Sequence, residues 1–173
     1  AVDDNGGMAA VFAPLEDIEK ILETIDGYVV VANINSPSEA VIGGASEAIA
    51  AAVTALNQAG FDAKPLPVSH AFHTAIVAPV SGPLRTVLEG MDLRPPELPI
   101  VANVTGEFYP MGPGVETEMV DILARQVARP VQFVKGLETL YRAGARVFVE
   151  VGPKRALQGM VRGVFEKKGD MLA

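Results

Sequence analysis

Apolar positions in residues 8–66 switch between short runs typical of strands and the 3.6-residue spacing typical of helices. From Ile18 onward, isoleucine and leucine recur at i, i+3, i+4 and i+7, which predicts a helix that ends at Gly27. The same spacing predicts a second helix over 46–60, with Ser46 as its N-cap. Runs rich in apolar and β-branched residues predict strands at 8–12, 28–35, 39–44 and 62–66. This β-α-β-β-α-β order is typical of the split βαβ, or ferredoxin-like, fold.

A different pattern follows residue 74. Helices are predicted over 75–91 and 116–127, around 133–141 and around 157–165, with a short strand at 100–104. The near-continuous apolar run 146–151 (RVFVEV) predicts a buried parallel strand, and the turn at Gly152 and Pro153 leads into the last helix. Strand, turn and helix in succession indicate an α/β sheet. Two strands are too few for such a sheet, so we expect further strands from chain outside these 173 residues.

Composition narrows the class of protein. Apolar residues make up 49% and charged residues 20% of the chain, which is typical of a globular protein. The net charge of −7 argues against a nucleic-acid partner. No apolar run is long enough to cross a bilayer and no charged leader precedes one, so we expect neither membrane insertion nor secretion. The lack of cysteine excludes thiolate chemistry and favours a cytoplasmic location.

Both histidines of the chain, His70 and His73, lie in one short stretch, PLPVSHAFHT (65–74). They could be ordinary loop residues, or a metal-binding pair, or could include a general base that takes a proton from a serine hydroxyl. No third metal ligand lies within a few residues, which disfavours a metal site. The spacing alone leaves the choice open.

A resemblance to a known family, carried by four stretches of the sequence, favours one of these roles for the histidines. The stretches are VANINSPSEAVIGG (31–44), LPVSHAFHT (66–74), ILARQVARPVQF (122–133) and FVEVGPKRAL (148–157). From residue 6 to about 165 the chain resembles the C-terminal half of the acyltransferase domain of polyketide and fatty-acid synthases, the malonyl-CoA:acyl-carrier-protein transacylase family. The resemblance implies a ferredoxin-like small subdomain at 6–67 and the C-terminal part of a large, α/β-hydrolase-like subdomain at 68–166. Residues 167–173 would then be a tail or linker.

The resemblance also implies roles for single residues. His73 matches the family's general base and acid for a serine nucleophile, and Gln126 matches the residue whose backbone carbonyl orients that histidine. His70 and Phe72 match positions associated with the choice of acyl group, where His-Ala-Phe-His implies malonyl. Asn35 matches a polar position in the cleft between the subdomains, although a structural role in its turn is an equally good interpretation. Malonyl-CoA is then a substrate, phosphopantetheine arrives on an acyl carrier protein, and no bound cofactor is expected.

One part of the family pattern is absent from these 173 residues. No Gly-His-Ser-x-Gly elbow occurs, and none of the serines has the required glycine neighbours. The arginine that pairs with the malonyl carboxylate would also lie in the N-terminal half, and Arg129 is expected instead to cap or cover a helix end. We therefore expect a fragment that is inactive alone and whose partners are that half, neighbouring synthase domains and an acyl carrier protein. A non-catalytic scaffold and a related acyl hydrolase are the alternatives.

Overall fold

The computed structural model describes residues 4–169 and 171–173, and its N-terminal part is a four-stranded antiparallel sheet covered by two helices. The elements are β1 (Gly7–Phe12), α1 (Leu15–Leu22), β2 (Val29–Ser36), β3 (Glu39–Gly44), α2 (Ser46–Gln58) and β4 (Asp62–Pro65). The sheet order is β2-β3-β1-β4. The predicted β-α-β-β-α-β order is confirmed, and so is the ferredoxin-like arrangement.

The core of this part lies between the sheet and its helices. Val11 of β1 and Ile42 of β3 are fully buried, and they meet Ile18 of α1 and Leu56 of α2. Strand residues two apart point to the same face, so Ala9 joins Val11 on the buried side of β1. Full burial of one such aliphatic side chain stabilises the fold by about 1.5–3 kcal/mol. Residues 7–65 therefore have a hydrophobic core of their own.

Helix α2 begins differently from the prediction. Ser46 was predicted as its N-cap, but the N-cap is Ala45, which provides no capping side chain. The missing acceptor comes from Asp4, whose carboxylate accepts hydrogen bonds from the Ser46 backbone N–H (2.8 Å), the Ser46 hydroxyl (2.6 Å) and the Gly6 N–H (2.9 Å). These bonds lower the pKa of Asp4, the Ser46 hydroxyl having the largest effect. A residue 42 positions away thus caps the helix.

We expect Asp4→Asn to destabilise the chain at pH 7 and to have little effect in acid. A carboxyl whose pKa is lower in the folded state contributes stability above its unfolded pKa, near 3.8. That contribution is lost as the pH falls through the lowered, folded-state pKa. Urea midpoints of wild type and variant should therefore differ at pH 7, begin to converge near pH 3.8 and meet only below the lowered folded-state pKa. Asp92→Asn, at an exposed site, is the control. A difference that persists unchanged in acid would contradict the assignment.

The C-terminal part is mainly helical. A 3-10 helix (Ala75–Val80) leads into α3 (Ser81–Glu89), followed by β5 (Val101–Ala102), β6 (Glu107–Phe108), α4 (Glu116–Gln126), α5 (Phe133–Arg142) and α6 (Ala156–Phe165). The helical predictions for this part are confirmed, and the helix predicted over 75–91 forms as a 3-10 helix containing Pro79 followed by α3. In the part of the chain described here, no helix is long and apolar enough to cross a membrane.

The predicted strand at 146–151 does not form. Val147, Val149 and Val151 are 62%, 78% and 94% exposed, while Phe148 packs against the core formed by α5 and α6. A strand needs a neighbour whose backbone pairs with it along its length. The described residues offer this segment one isolated bridge, between Val147 and Leu172. The segment is therefore apolar, as predicted, but its valines are exposed and it is not paired along its length.

Candidate active site

The loop that carries both histidines joins β4 to the 3-10 helix and is tied down on each side of His73. On one side the buried Ala71 donates its N–H to the carbonyl of Asn5 (2.9 Å). On the other, the fully buried Thr74 donates its hydroxyl to the Ala71 carbonyl (2.6 Å), and Ala75 donates its N–H to the Tyr28 hydroxyl (2.9 Å). The backbone at His73 therefore has little freedom.

The backbone of His73 is itself unusual. Its φ angle is +61°, in the left-handed region that residues with a Cβ seldom adopt. Surrounding contacts must hold such a residue in place, and non-glycine residues of this kind cluster at functional sites. The His73 N–H donates to the carbonyl of Val127, at 3.1 Å. The loop is thereby joined to the C-terminal end of α4.

That helix end also binds the imidazole ring. The last carbonyls of a helix have no partner within it, so those at the end of α4 are free to accept hydrogen bonds. The Nδ1 atom of His73 lies 3.1 Å from the carbonyl oxygen of Gln126, 53 residues away. Because a carbonyl can only accept, Nδ1 carries the proton and Nε2 of the neutral ring keeps its lone pair. No other hydrogen bond to this ring occurs within the described residues. The ring is thus oriented as a base.

Two cavities meet at His73. The first, which we call the amide-lined cavity, has a volume of about 510 Å³ and is lined by His73, the amide residues Asn33, Asn35, Asn103 and Gln126, and several apolar side chains. The second, the arginine-lined cavity, has a volume of about 540 Å³ and is lined by His73, Tyr28, Thr74, Ser81, Arg125 and Arg129 among others. The ring therefore has space for a ligand on two sides.

One wall of the amide-lined cavity is a short parallel pairing between β2 and the segment after α4. Val131 donates its N–H to Ala32 (2.8 Å), and Ile34 donates its N–H to Val131 (3.0 Å). Asn33 and Asn35, two apart on β2, line the cavity beside this pairing. Asn35 is buried and donates one amide hydrogen to Glu39 (3.3 Å). Its position suits both a binding role and the structural role considered for it.

His70 and Phe72 lie apart from this centre. Their rings contact each other, with centroids 5.9 Å apart, and His70 Nδ1 is 2.9 Å from the hydroxyl of Ser69. Phe72 is 42% exposed, and neither residue lines the amide-lined or the arginine-lined cavity. The structure thus brings His73, Gln126 and Asn35 together, but not His70 and Phe72. In the described part of the chain, no three metal-ligand side chains cluster either.

The family model described as the acyl transferase domain matches residues 1–172. The chain belongs to this acyl transferase domain family. It is 36% identical over 158 residues to a polyunsaturated fatty acid synthase protein of a Thraustochytrium species, covering 90% of this chain and 5% of that protein. It is 30% identical over 167 residues to the malonyl CoA-acyl carrier protein transacylase of Bacillus subtilis, covering 92% of this chain and 50% of that protein.

A solved acyl transferase structure agrees with this assignment. It is a malonyl-transacylase in complex with its type II polyketide synthase acyl-carrier protein, and it superposes with a TM-score of 0.86 at 29% identity. The match covers 100% of this chain and 55% of that one. The expected family and fold class are confirmed. The chain spans about half the length of these two transacylases.

Sequence reasoning missed how three residues contribute to this candidate site. Tyr28 and Thr74 support the histidine loop, but only the fold reveals Tyr28, which is 47 residues from its partner Ala75. Thr74 is the last residue of the histidine stretch and directly follows His73, and that proximity was the one available signal. Arg129 was expected to cap or cover a helix end. Within the described residues its guanidinium makes no hydrogen bond there, and it lines both cavities instead.

Thr74→Val is expected to lower the free energy of unfolding by about 1–3 kcal/mol, because it removes a buried hydroxyl and leaves the Ala71 carbonyl without that donor. The shape of the side chain is nearly unchanged, so the loss reports the two hydrogen bonds of the hydroxyl, the one donated to Ala71 and the one accepted from the Ile76 N–H at 3.3 Å. Urea unfolding measures it. Thr54→Val makes the same chemical change at an exposed position of α2 and should have little effect. Equal effects at the two sites would show that the Thr74 hydroxyl does not anchor the loop.

Proposed function

We propose that this acyl transferase chain supplies the general base and one wall of the cleft in an enzyme that moves a malonyl group from CoA to an acyl carrier protein. The observation that carries the proposal is the hydrogen bond from His73 Nδ1 to the Gln126 carbonyl. It leaves Nε2 with a free lone pair in a residue that lines two cavities. A histidine held in this way can take a proton from an oxygen nucleophile and return it.

The nucleophile in this proposal is a serine hydroxyl from the part of the domain that these residues do not include. Nε2 of His73 takes the serine proton while the serine oxygen attacks the thioester carbonyl carbon of malonyl-CoA. Backbone N–H groups beside the serine stabilise the resulting oxyanion. The imidazolium then gives its proton to the departing CoA thiol, and a malonyl-serine ester remains.

The second half of the reaction repeats these steps in reverse order. The thiol of phosphopantetheine gives its proton to His73 and attacks the ester carbonyl. The serine leaves with the proton that His73 returns, and malonyl ends on the carrier protein. One base therefore serves both half-reactions, and Gln126 returns the neutral ring to the same tautomer at the start of each. Malonyl-CoA and the carrier-bound phosphopantetheine act as substrates, so the proposal needs no bound cofactor.

In this proposal, the two cavities and the loop that carries His70 and Phe72 share the recognition of the substrate. Asn35 is proposed to contact the thioester or the pantetheine arm from the amide-lined cavity. His70 and Phe72 are proposed to bias the choice towards malonyl, with the bulk of Phe72 disfavouring an α-methyl group. Such steric selection is limited, because one methylene is worth about 1–3 kcal/mol. Since neither residue lines the amide-lined or the arginine-lined cavity, contact with the acyl group would require the rest of the domain to fold against this loop.

An acyl carrier protein is the proposed partner, together with the N-terminal half of the domain and neighbouring synthase domains. The solved relative bound to its acyl-carrier protein supports this. Carrier proteins are usually acidic, and the lysine and arginine residues within PKR (153–155) and EKKGD (166–170) are candidate contacts in an otherwise acidic chain. The subdomain limits 6–67 and 68–166, with a tail at 167–173, remain part of the proposal, as does a cytoplasmic location.

The test uses the complete polypeptide that contains this chain, incubated with radiolabelled malonyl-CoA and a phosphopantetheinylated carrier protein. Transfer of label to the carrier, through a labelled protein intermediate that resists gel filtration, supports the proposal. Release of free malonate at the same rate with and without the carrier would identify a hydrolase. No labelled intermediate and no transfer would sink the catalytic proposal and leave a scaffold.

A further inference from the structure

The loop that carries His73 packs on the antiparallel sheet at a glycine. Gly43 lies on β3, between β1 and β2. Its neighbour Ile42 faces the helices, so Gly43 faces the opposite side of the sheet. Thr74, which directly follows His73, is fully buried against that side. The residue next to the imidazole is therefore in direct contact with the glycine.

Even a methyl group would not fit at position 43 with the loop in place. A Cβ added to Gly43 would lie 2.8 Å from Cγ2 of Thr74, whereas ordinary van der Waals contact begins at 3.4 Å. Cγ2 cannot rotate away without a loss of hydrogen bonds, because the hydroxyl on the same carbon donates to the Ala71 carbonyl (2.6 Å) and accepts from the Ile76 N–H (3.3 Å). Thr74 would have to move, and the adjacent His73 with it.

Gly6 limits the same loop from a second direction. Its φ angle is +73°, and a Cβ there would lie 2.7 Å from Cβ of Ala71 and 2.8 Å from Cδ1 of Ile76. These two residues lie on either side of His73 in the sequence. The loop thus occupies space that exists only because both positions lack a side chain. We call Gly6 and Gly43 the glycine pair.

We propose that the glycine pair positions the imidazole of His73 for proton transfer. This inference rests on the proposed function, in which that ring is the general base. The backbone N–H and Nδ1 of His73 each lie 3.1 Å from a carbonyl oxygen at the end of α4, and both distances depend on where the loop lies over the sheet. Misplacement of a reacting group by about 1 Å can lower a rate about 10²-fold. Both glycines are positioning residues, because they act on the reaction only through His73.

The experiment measures malonyl transfer from CoA to the carrier protein by the complete polypeptide that contains this chain. We expect Gly43→Ala to lower kcat roughly 10-fold, because the contact with Thr74 must widen from 2.8 Å to about 3.4 Å, and to leave KM for malonyl-CoA nearly unchanged. Gly7→Ala is the matched control on the neighbouring strand β1. A Cβ there would make only ordinary contact with Ile49, at 3.8 Å, so this variant should keep its full rate.

A second substitution separates positioning from general damage to the fold. Thr74→Ser removes Cγ2, the atom that the new methyl group would meet, and keeps the hydroxyl that donates to the Ala71 carbonyl. Gly43→Ala/Thr74→Ser should therefore recover the kcat of Thr74→Ser alone. NMR of isotope-labelled histidine gives an independent signature, because the ring nitrogen resonances differ between tautomers. Gly43→Ala should move part of the His73 proton population to Nε2, and the double variant should return it to Nδ1.

Three results would overturn the positioning role. They are a full rate in Gly43→Ala, an unchanged tautomer in that variant, and a loss of rate that Thr74→Ser does not reverse. Failure of both Gly43→Ala and the double variant to fold has the same meaning, because the double variant lacks the clash. If the wild-type polypeptide forms no malonyl ester, the proposed function fails instead. The NMR comparison still tests the glycine pair in that case, so the two failures are distinguished.

Discussion

Replacing His73 with alanine is expected to lower the rate of malonyl transfer by the complete polypeptide about 10³-fold. A positioned general base contributes roughly 10²–10⁴ to rate, and the proposed mechanism uses this base in both half-reactions. The effect should fall on the formation of the acyl-serine ester as well as on its transfer. Single-turnover labelling with malonyl-CoA measures the first step, and addition of the carrier protein measures the second.

His73→Asn provides the folding control for this prediction. Asparagine tolerates the left-handed backbone of residue 73 better than most residues, so this variant should fold like the wild type while lacking the base. His70→Ala is the matched histidine replacement. It leaves Nε2 of His73 in place and should change the preference between acyl groups far more than the rate with malonyl. Full transfer activity in His73→Asn would rule out His73 as the base.

Leu56→Ala is expected to destabilise the fold by about 2–5 kcal/mol, the usual cost of removing a fully buried leucine and leaving a cavity. Leu56 is completely buried between α2 and the sheet, together with Val11 and Ile42. Because the total stability of a domain is about 5–15 kcal/mol, this loss is a large fraction of it. Urea unfolding followed by circular dichroism measures the change.

Leu98→Ala is the control for this second prediction, because Leu98 is 75% exposed and its truncation should change stability by less than about 0.5 kcal/mol. A small effect at Leu56 would mean that the ferredoxin-like part does not depend on the core described for it. The histidine loop follows β4 of this same part, so loss of the core should also disturb the base. Activity and stability of Leu56→Ala should therefore fall together over the same range of urea.

The order of elements follows from local patterns in the sequence. The spacing of isoleucine and leucine from Ile18 onward requires a helix, and β-branched runs such as 28–35 require strands, because side-chain direction repeats every 3.6 or 2 residues. Both helices and all four strands of the ferredoxin-like part were predicted correctly. The histidine signature likewise lies within ten adjacent residues, 65–74, but it pointed to His73 only together with the three other stretches that resemble the family.

Local patterns failed where a partner decides the outcome. The run 146–151 has the composition of a buried strand, but only a neighbouring strand can pair and cover it, and the described residues do not provide one along its length. The start of α2 likewise depends on a residue that is distant in the sequence. Its cap comes from Asp4, which no pattern around Ser46 could reveal.

The sequence by itself thus determined the ferredoxin-like order, the helices of the C-terminal part and the family, all of which depend on short-range periodicity and signatures. Only the tertiary structure decided how the site is built. The bond from His73 to Gln126 spans 53 residues, the Tyr28 bond to Ala75 spans 47, and Arg129 faces cavities that exist only after folding. No sequence pattern shows which group a free carbonyl at a helix end will bind. Every helix ends with such carbonyls, and only the tertiary structure determines their partners.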